Sequence, residues 1–376
     1  MASSYQLALT NVIFHTLQNT NNRQERLRQM KLEGTFLERI DTITDFLKSK
    51  KSQISDQVAK IESVLISEDT FYLSDECEEG PSREKQLSLD SWAEGQLLQR
   101  VGIPISYFQR CPNWLKQENF DYWREEHKNK KVLLRMWNDQ VRAVFSSRFN
   151  PDMDDHILYP IVFNTLKEVF PVEGMHIRSF QTENDFTILK IVFKDAKAES
   201  NDYISFAGLT IVNSEVGRSS VWIKPMVLWS HTSDLANSQT LSDRYREAST
   251  SFRHVGDLSQ SKVEEAIKEA YRAAQVGLYK VFEASQATVN RPALELDKIV
   301  ENSMFLNNRM FCLLRQEIED VEEMNRLELV KNMLQAVKDL PLFYRQKAEE
   351  EVGRSIDLFR GTSARFENIA ADLTRV

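Results

Sequence analysis

Residues 130–149, KKVLLRMWNDQVRAVFSSRF, constrain the fold more than any other stretch of this 376-residue chain. Apolar and polar residues alternate with period two on both sides of Asn138-Asp139, a dipeptide suited to a two-residue hairpin turn. That turn pairs Trp137 with Gln140, Met136 with Val141, Arg135 with Arg142, Leu134 with Ala143, Leu133 with Val144 and Val132 with Phe145. One face is then wholly apolar: Val132, Leu134, Met136, Val141, Ala143 and Phe145. A slip of one residue would scramble that face, so the register follows from the pattern.

The opposite face carries Lys131, Arg135, Trp137, Arg142 and Arg148 among other residues. Arg135 and Arg142 lie directly across from each other in this register, and like charges so placed repel. The compensating charge is either a carboxylate from elsewhere in the chain or a phosphate. Guanidinium forks match phosphate, and a tryptophan on the same face offers a stacking platform for a base. In the second case Lys131, Arg135, Arg142 and Arg148 meet phosphates, Trp137 stacks, and Arg218 and Lys224 of a later hairpin extend the groove. In the first case Glu215 is the candidate partner, and the face is internal architecture.

Two further hairpins are expected. MHIRSFQTENDFTILKIVF turns over residues 182–185, and DYISFAGLTIVNSEVGRSSVWIKPMVL turns at Asn213-Ser214-Glu215-Val216-Gly217. Asn213 and Gly217 tolerate positive φ. Between the first two hairpins, FNPDMDDHILYPIVFNTLKEVF reads as a helix, with Asn150 as N-cap, Pro151 at the first position and a bend at Pro160.

Residues 1–66 read as a helical N-terminal region. Its stripes are Leu9, Val12, Ile13 and Leu17, then Phe36, Ile40, Ile43, Phe46 and Leu47, then Val58, Ile61 and Leu65. Residues 67–87 read as an acidic linker broken at Gly80-Pro81, and 88–256 as an α+β domain opening on a helix over 90–100. Residues 257–376 form a helical C-terminal region, with helices expected over 259–289, 293–306, 309–338 and 342–373. Only 11 Gly and 9 Pro in the chain favour long helices. The fold class is α+β: a mostly antiparallel sheet of three hairpins with one inserted helix, flanked by long N- and C-terminal helices.

A net charge of −8 excludes a generic polyanion binder, so any nucleic-acid surface must be a local basic patch. Cys77, Cys111 and Cys312 are too few and too scattered for a disulfide framework or a cysteine-based zinc site. They point to a reducing, cytoplasmic compartment. No signal peptide and no membrane span are expected. No P-loop, GxGxxG or HExxH is present, and none of the six histidines has a metal-binding spacing with another on one helix. Asp152, Asp154, Asp155 and His156 form an acidic cluster that suits either a helix N-terminus or a metal-dependent nuclease. No catalytic residue, metal or cofactor is assigned.

Four phrases in order, GIPISYFQRCP, VLLRMWNDQVRAVFSSRF, GLTIVNSEVGRSS and FRHVGD, resemble an uncharacterised domain family of phage- and plasmid-like proteins. The family is common in mobile genetic elements and carries no established activity. The resemblance covers about residues 88–256 and singles out Asn213, Ser214, Glu215, Gly217 and His254 as motif residues. It implies a setting in the DNA metabolism of mobile elements, such as recombination or replication. The chain departs from the family where VLWSHTSDLANSQTL stands in place of a Cys-x-Asn-Gly phrase. The combined expectation is a non-enzymatic protein that binds single-stranded DNA, with strand annealing as its concrete version. The alternative is an interaction protein with a helical partner or a second copy of itself.

Overall fold

The structure is a computed structural model. It describes residues 28–29, 32–75, 83–183, 185–199, 203–230, 238–242, 249–255, 258–303, 305–356 and 358. The stripe at Leu9–Leu17, His15, Cys77, His231, Met304 and the expected helix beyond 358 lie outside these residues.

The short β1 (Arg28–Gln29) precedes α1 (Phe36–Lys51), where Thr35 and Glu38 form a reciprocal capping box. Next come β2 (Ile54–Lys60), β3 (Val64–Ser67), β4 (Thr70–Asp75) and β5 (Arg83–Leu89). β2 and β3 replace the expected third helical piece, and β4 and β5 occupy the described parts of the expected linker, whose Gly80-Pro81 break lies outside the described residues. The spacing of Val58, Ile61 and Leu65 looks helical, but these residues fall in two short strands and a 3-10 turn. Val64 and Ile66 alternate inward with period two, as do Phe71 and Leu73.

Helices α2 (Ser91–Val101), α3 (Ile105–Phe108) and α4 (Asn113–Glu126) follow, then the hairpin β6 (Lys131–Trp137) and β7 (Gln140–Ser146). Beyond it lie α5 (Asp155–Val169), β8 (Met175–Thr182), β9 (Thr187–Glu199), β10 (Ile204–Asn213), β11 (Val221–Ser230), β12 (Gln239–Ser242) and β13 (Thr250–Phe252). The C-terminal part holds α6 (Gln260–Gln286), β14 (Thr288–Asn290), α7 (Pro292–Glu301), α8 (Cys312–Glu317), β15 (Glu323–Asn325), α9 (Arg326–Ala336) and α10 (Leu342–Ser355). The single helix expected over 309–338 is thus broken by β15, which pairs with β14.

The chain is α+β, but the three hairpins do not share one sheet. β6 and β7 belong to a six-stranded sheet ordered β2-β6-β7-β5-β4-β3, in which β5 and β7 run parallel. β8 to β11 form the meander of a second sheet ordered β1-β8-β9-β10-β11-β12, with β13 also on β11. One core lies between the first sheet and α2–α4, with Leu97, Phe108, Phe120, Val132 and Leu134 buried together. The larger core packs α1, α5 and α6 on one face of the second sheet, through Ile43, Phe163, Ala270, Ile191, Leu209 and Ile223. No helix among the described residues is long and apolar enough to cross a membrane.

His176 on β8 sits beside Arg39 of α1, whose Nη1 lies 3.1 Å from His176 Nε2 and donates to Ile177 O at 2.6 Å. Burial and the Arg39 charge push the His176 pKa down to about 4. An unfolded histidine takes its proton near pH 6.5. Between there and about 4 the unfolded chain therefore binds the extra proton, and acidification across that window removes stability. In urea titrations, His176→Gln is expected to flatten this loss between pH 6.5 and 4.5. An unchanged slope would show that other groups carry it.

Candidate functional site: a buried charge cluster between the two sheets

The hairpin turns at Asn138 and Asp139, both at positive φ. Trp137 pairs with Gln140 and Met136 with Val141, as the sequence pattern predicts. A bulge then intervenes, so Arg135 faces Ala143, Leu134 faces Val144, Leu133 faces Phe145 and Val132 faces Ser146. The expected Arg135–Arg142 pair does not form. An extra residue in one strand swaps the faces beyond it. Val144 therefore joins the core beneath the first sheet, while Ala143 and Phe145 turn to the other side and pack with Val216. There the rings of Phe145 and Phe149 stack 3.9 Å apart, with the Arg135 guanidinium 5.6 and 4.8 Å from their centroids.

Arg135 is 2% exposed. Its Nε and Nη2 donate to Asp56 of β2 at 2.9 and 2.8 Å, and its Nη1 and Nη2 donate to Asp154 at 2.6 and 2.9 Å. Nη1 also donates to the backbone carbonyl of Glu215 at 3.0 Å. Glu215 thus meets Arg135 through its main chain, and its carboxylate goes elsewhere. Oε1 accepts from Asp155 N at 2.9 Å, and Oε2 lies 2.6 Å from Lys50 Nζ. Lys50, at the end of α1, also donates to Asp155 Oδ2 at 2.6 Å. Thr187 Oγ1 and Asn213 Nδ2 complete the hydrogen bonding of Asp155, at 2.6 and 2.8 Å.

Local structure explains the placement. Asn150 caps only the 3-10 turn Pro151–Met153, and α5 itself starts after Asp154. The acids of this segment therefore serve as counter-charges for two buried cations as well as lying near a helix start. The hinge after β10 is fixed by the Asn213 side chain, which donates to Met153 O and accepts from Ser214 N. Gly217 alone in the hinge has positive φ, at 75°. A Cβ there would lie 2.8 Å from Phe145 Cε1, so both conformation and space call for glycine. Asn213, which would tolerate positive φ, ends its strand without it. Val216 O accepts from Trp92 Nε1 and Gln96 Nε2 of α2 at 2.8 and 3.0 Å, tying the hinge to the first sheet's helices.

Burial alone would depress the Lys50 pKa, but the Asp155 and Glu215 carboxylates outweigh it and raise it. Arg135 is likewise raised, with Asp56 and Asp154 overcoming the cost of burial. Burial raises the carboxyls of Asp154 and Glu215, and for Glu215 the Asp155 charge adds to the rise. Burial lowers His156 and His254. The His254 ring stacks on Phe149 at 5.7 Å.

Ligand atoms of Asp154, His156 and Glu215 lie within 4.8 Å of one another, a spacing that could suit a divalent cation. The surroundings do not fit one. Arg135 holds both Asp154 oxygens, and Lys50 and Asp155 N hold those of Glu215. A metal ion would have to displace a guanidinium and an ammonium.

The remaining residues of the expected groove disperse. Arg142 pairs with Asp90 and Asp185 at 2.9 and 2.8 Å. Arg218 pairs with Asp185 at 2.9 Å and lies over the Trp92 ring at 4.7 Å. Trp137 Nε1 donates to Gln53 Oε1 at 3.0 Å. Lys224 is 2% exposed, on a face of the second sheet where it meets Glu350. Lys131 and Arg148 are exposed. The continuous basic groove is therefore corrected to an internal ion network plus two surface cations. Sequence reasoning missed Lys50, Asp56 and Asp155 as members of that network. In LKSKK nothing distinguishes the one buried lysine except its place on the apolar stripe of α1, three residues after Leu47. No family model, no curated protein and no solved structure matches this chain.

Proposed function

We propose that the chain is a non-enzymatic interaction protein that docks a cationic protein segment on the outer face of α4. The observation carrying this reading is a run of exposed aromatics among carboxylates. Trp114 is 63% exposed and Tyr122 62%, with Tyr107 and Trp123 also exposed nearby in sequence. Glu118 and Glu126 fall at i+4 spacing with Trp114 and Tyr122 along the helix, and both are exposed. Phe120 on the opposite side is fully buried, which fixes the helix orientation. Exposed tryptophan and tyrosine are costly in water and are the residues that anchor protein interfaces. Carboxylates between them disfavour phosphate and favour lysine or arginine. The four sequence phrases support a setting in a phage, plasmid or other mobile element.

The test is titration of a lysine-rich amphipathic helical peptide, read by fluorescence anisotropy. Binding is expected to weaken with salt and by about tenfold or more on Trp114→Ala/Tyr122→Ala, the loss typical of anchor aromatics. No binding, or equal binding by the variant, overturns the reading. A second reading, single-stranded DNA binding in recombination or replication, is favoured by exposed Lys131 and Arg148. DNA binding abolished by Lys131→Glu/Arg148→Glu would support it instead.

A further inference from the structure

The second sheet has two differently built faces. The face toward α6 is apolar: Val263, Ala266, Ala270 and Ala274 pack on Leu209 and Ile223. The other face carries a row of polar residues. Lys190 on β9 and Lys224 on β11 both stand in register with Thr210 on β10. All three are buried, at 7%, 2% and 0% exposure. The strand spacing sets the two lysines roughly 10 Å apart.

The cover over this row is α10, from FYRQKAEEEVG. Glu349 meets Lys190 at 2.6 Å, and Glu350 meets Lys224. Leu342 and Phe343 anchor its start against Phe186, Ile188 and Val212. The fit is incomplete. Gln346 is 4% exposed, yet neither end of its amide has a hydrogen-bond partner, and Thr210 Oγ1 has none either. Buried ion pairs return little net stability because both charges are desolvated, and orphaned polar atoms subtract from it. Ala348 and Val352 on the far side of α10 join the main core. Release of α10 would therefore uncover these two side chains as well as the ion pairs, while α6 stays packed on the opposite face of the sheet.

We propose that the Lys190–Thr210–Lys224 face is a latent site for a linear phosphate polymer, with α10 as a strap whose Glu349 and Glu350 stand in for two phosphates. This rests on α10 and not on α4, so the two proposals fail separately. A polymer carrying repeated phosphates can supply both counter-charges at once and replace the strap. Inorganic polyphosphate and single-stranded DNA share that chemistry. Tighter binding of the DNA would place its bases on Trp222, over whose ring Lys224 lies at 5.1 Å. Equal binding would mean that charge alone is read.

The test uses the full chain in phosphate-free buffer, with labelled oligo-thymidine and polyphosphate as probes. Glu349→Gln/Glu350→Gln is expected to bind at least about tenfold more tightly than the parent, since it removes the competing charges. Adding Lys190→Met/Lys224→Met should abolish that gain and reduce the salt slope by about 2. Hydrogen exchange of the unaltered protein supplies a readout that needs no variant to fold. α10 should exchange faster than α6, and faster still when polyphosphate is added. Unchanged affinity in a folded Gln variant, or an α10 as protected as α6 and indifferent to polyphosphate, overturns the proposal.

Discussion

Arg135→Met is expected to lower stability by about 3–5 kcal/mol, seen as a lower urea midpoint at constant m-value. The guanidinium holds Asp56 from β2 and Asp154 from the start of α5, and both carboxylates lose that donor when it goes. Asp154 is fully buried, so its charge cannot turn to water. Arg135→Lys should recover only part, because a point charge cannot serve two carboxylates bidentately. Arg142→Met is the internal control. Its partners Asp90 and Asp185 are about one-fifth exposed, and a cost of about 1 kcal/mol is expected. Equal losses for the two arginines would show that depth of burial does not set the penalty.

Lys50→Met should cost a similar amount, about 3–5 kcal/mol, with a pH dependence of defined sign. It leaves Asp155 and Glu215 facing each other without a cation. The Glu215 carboxyl, already raised by burial, must then rise further, so the folded protein holds a proton that the unfolded chain has released. Stability of such a group falls as pH rises through its folded pKa. The penalty should therefore be larger at pH 8 than at pH 5. Adding Glu215→Gln should recover about half of it at pH 8 and little at pH 5. A penalty that grows on acidification would contradict this assignment of charge.

Much of the local structure was legible. The helix near 90–100, the Asn138-Asp139 turn and the long helix starting near 259 follow from residue type and spacing, although the first helix is capped by Asp90 and not by Ser88. Strands β3 and β4 were not legible, because runs as short as Val64–Ser67 carry too few residues to separate period two from period 3.6. The bulge at Arg142 was hidden for a different reason. Nothing within the hairpin calls for it. It is favoured by what it delivers, the Phe145 ring against Arg135 and Gly217. The acids of α10 were hidden in the same way, since a Glu-rich helix end reads as solvated until a sheet with buried lysines lies under it.

The charge cluster also bears on how the chain can be divided. Its members come from α1, β2, β6, the start of α5 and the turn after β10, spanning residues 50–215. A fragment carrying only the first sheet keeps Arg135 and loses Asp154. A C-terminal fragment starting after β7 keeps Asp155 and Glu215 and loses Lys50, because α1 packs on the second sheet but precedes the first in the chain. Each half alone strands a charge that the other half was neutralising, so the two sheets reach full stability only as one chain or as complementing fragments.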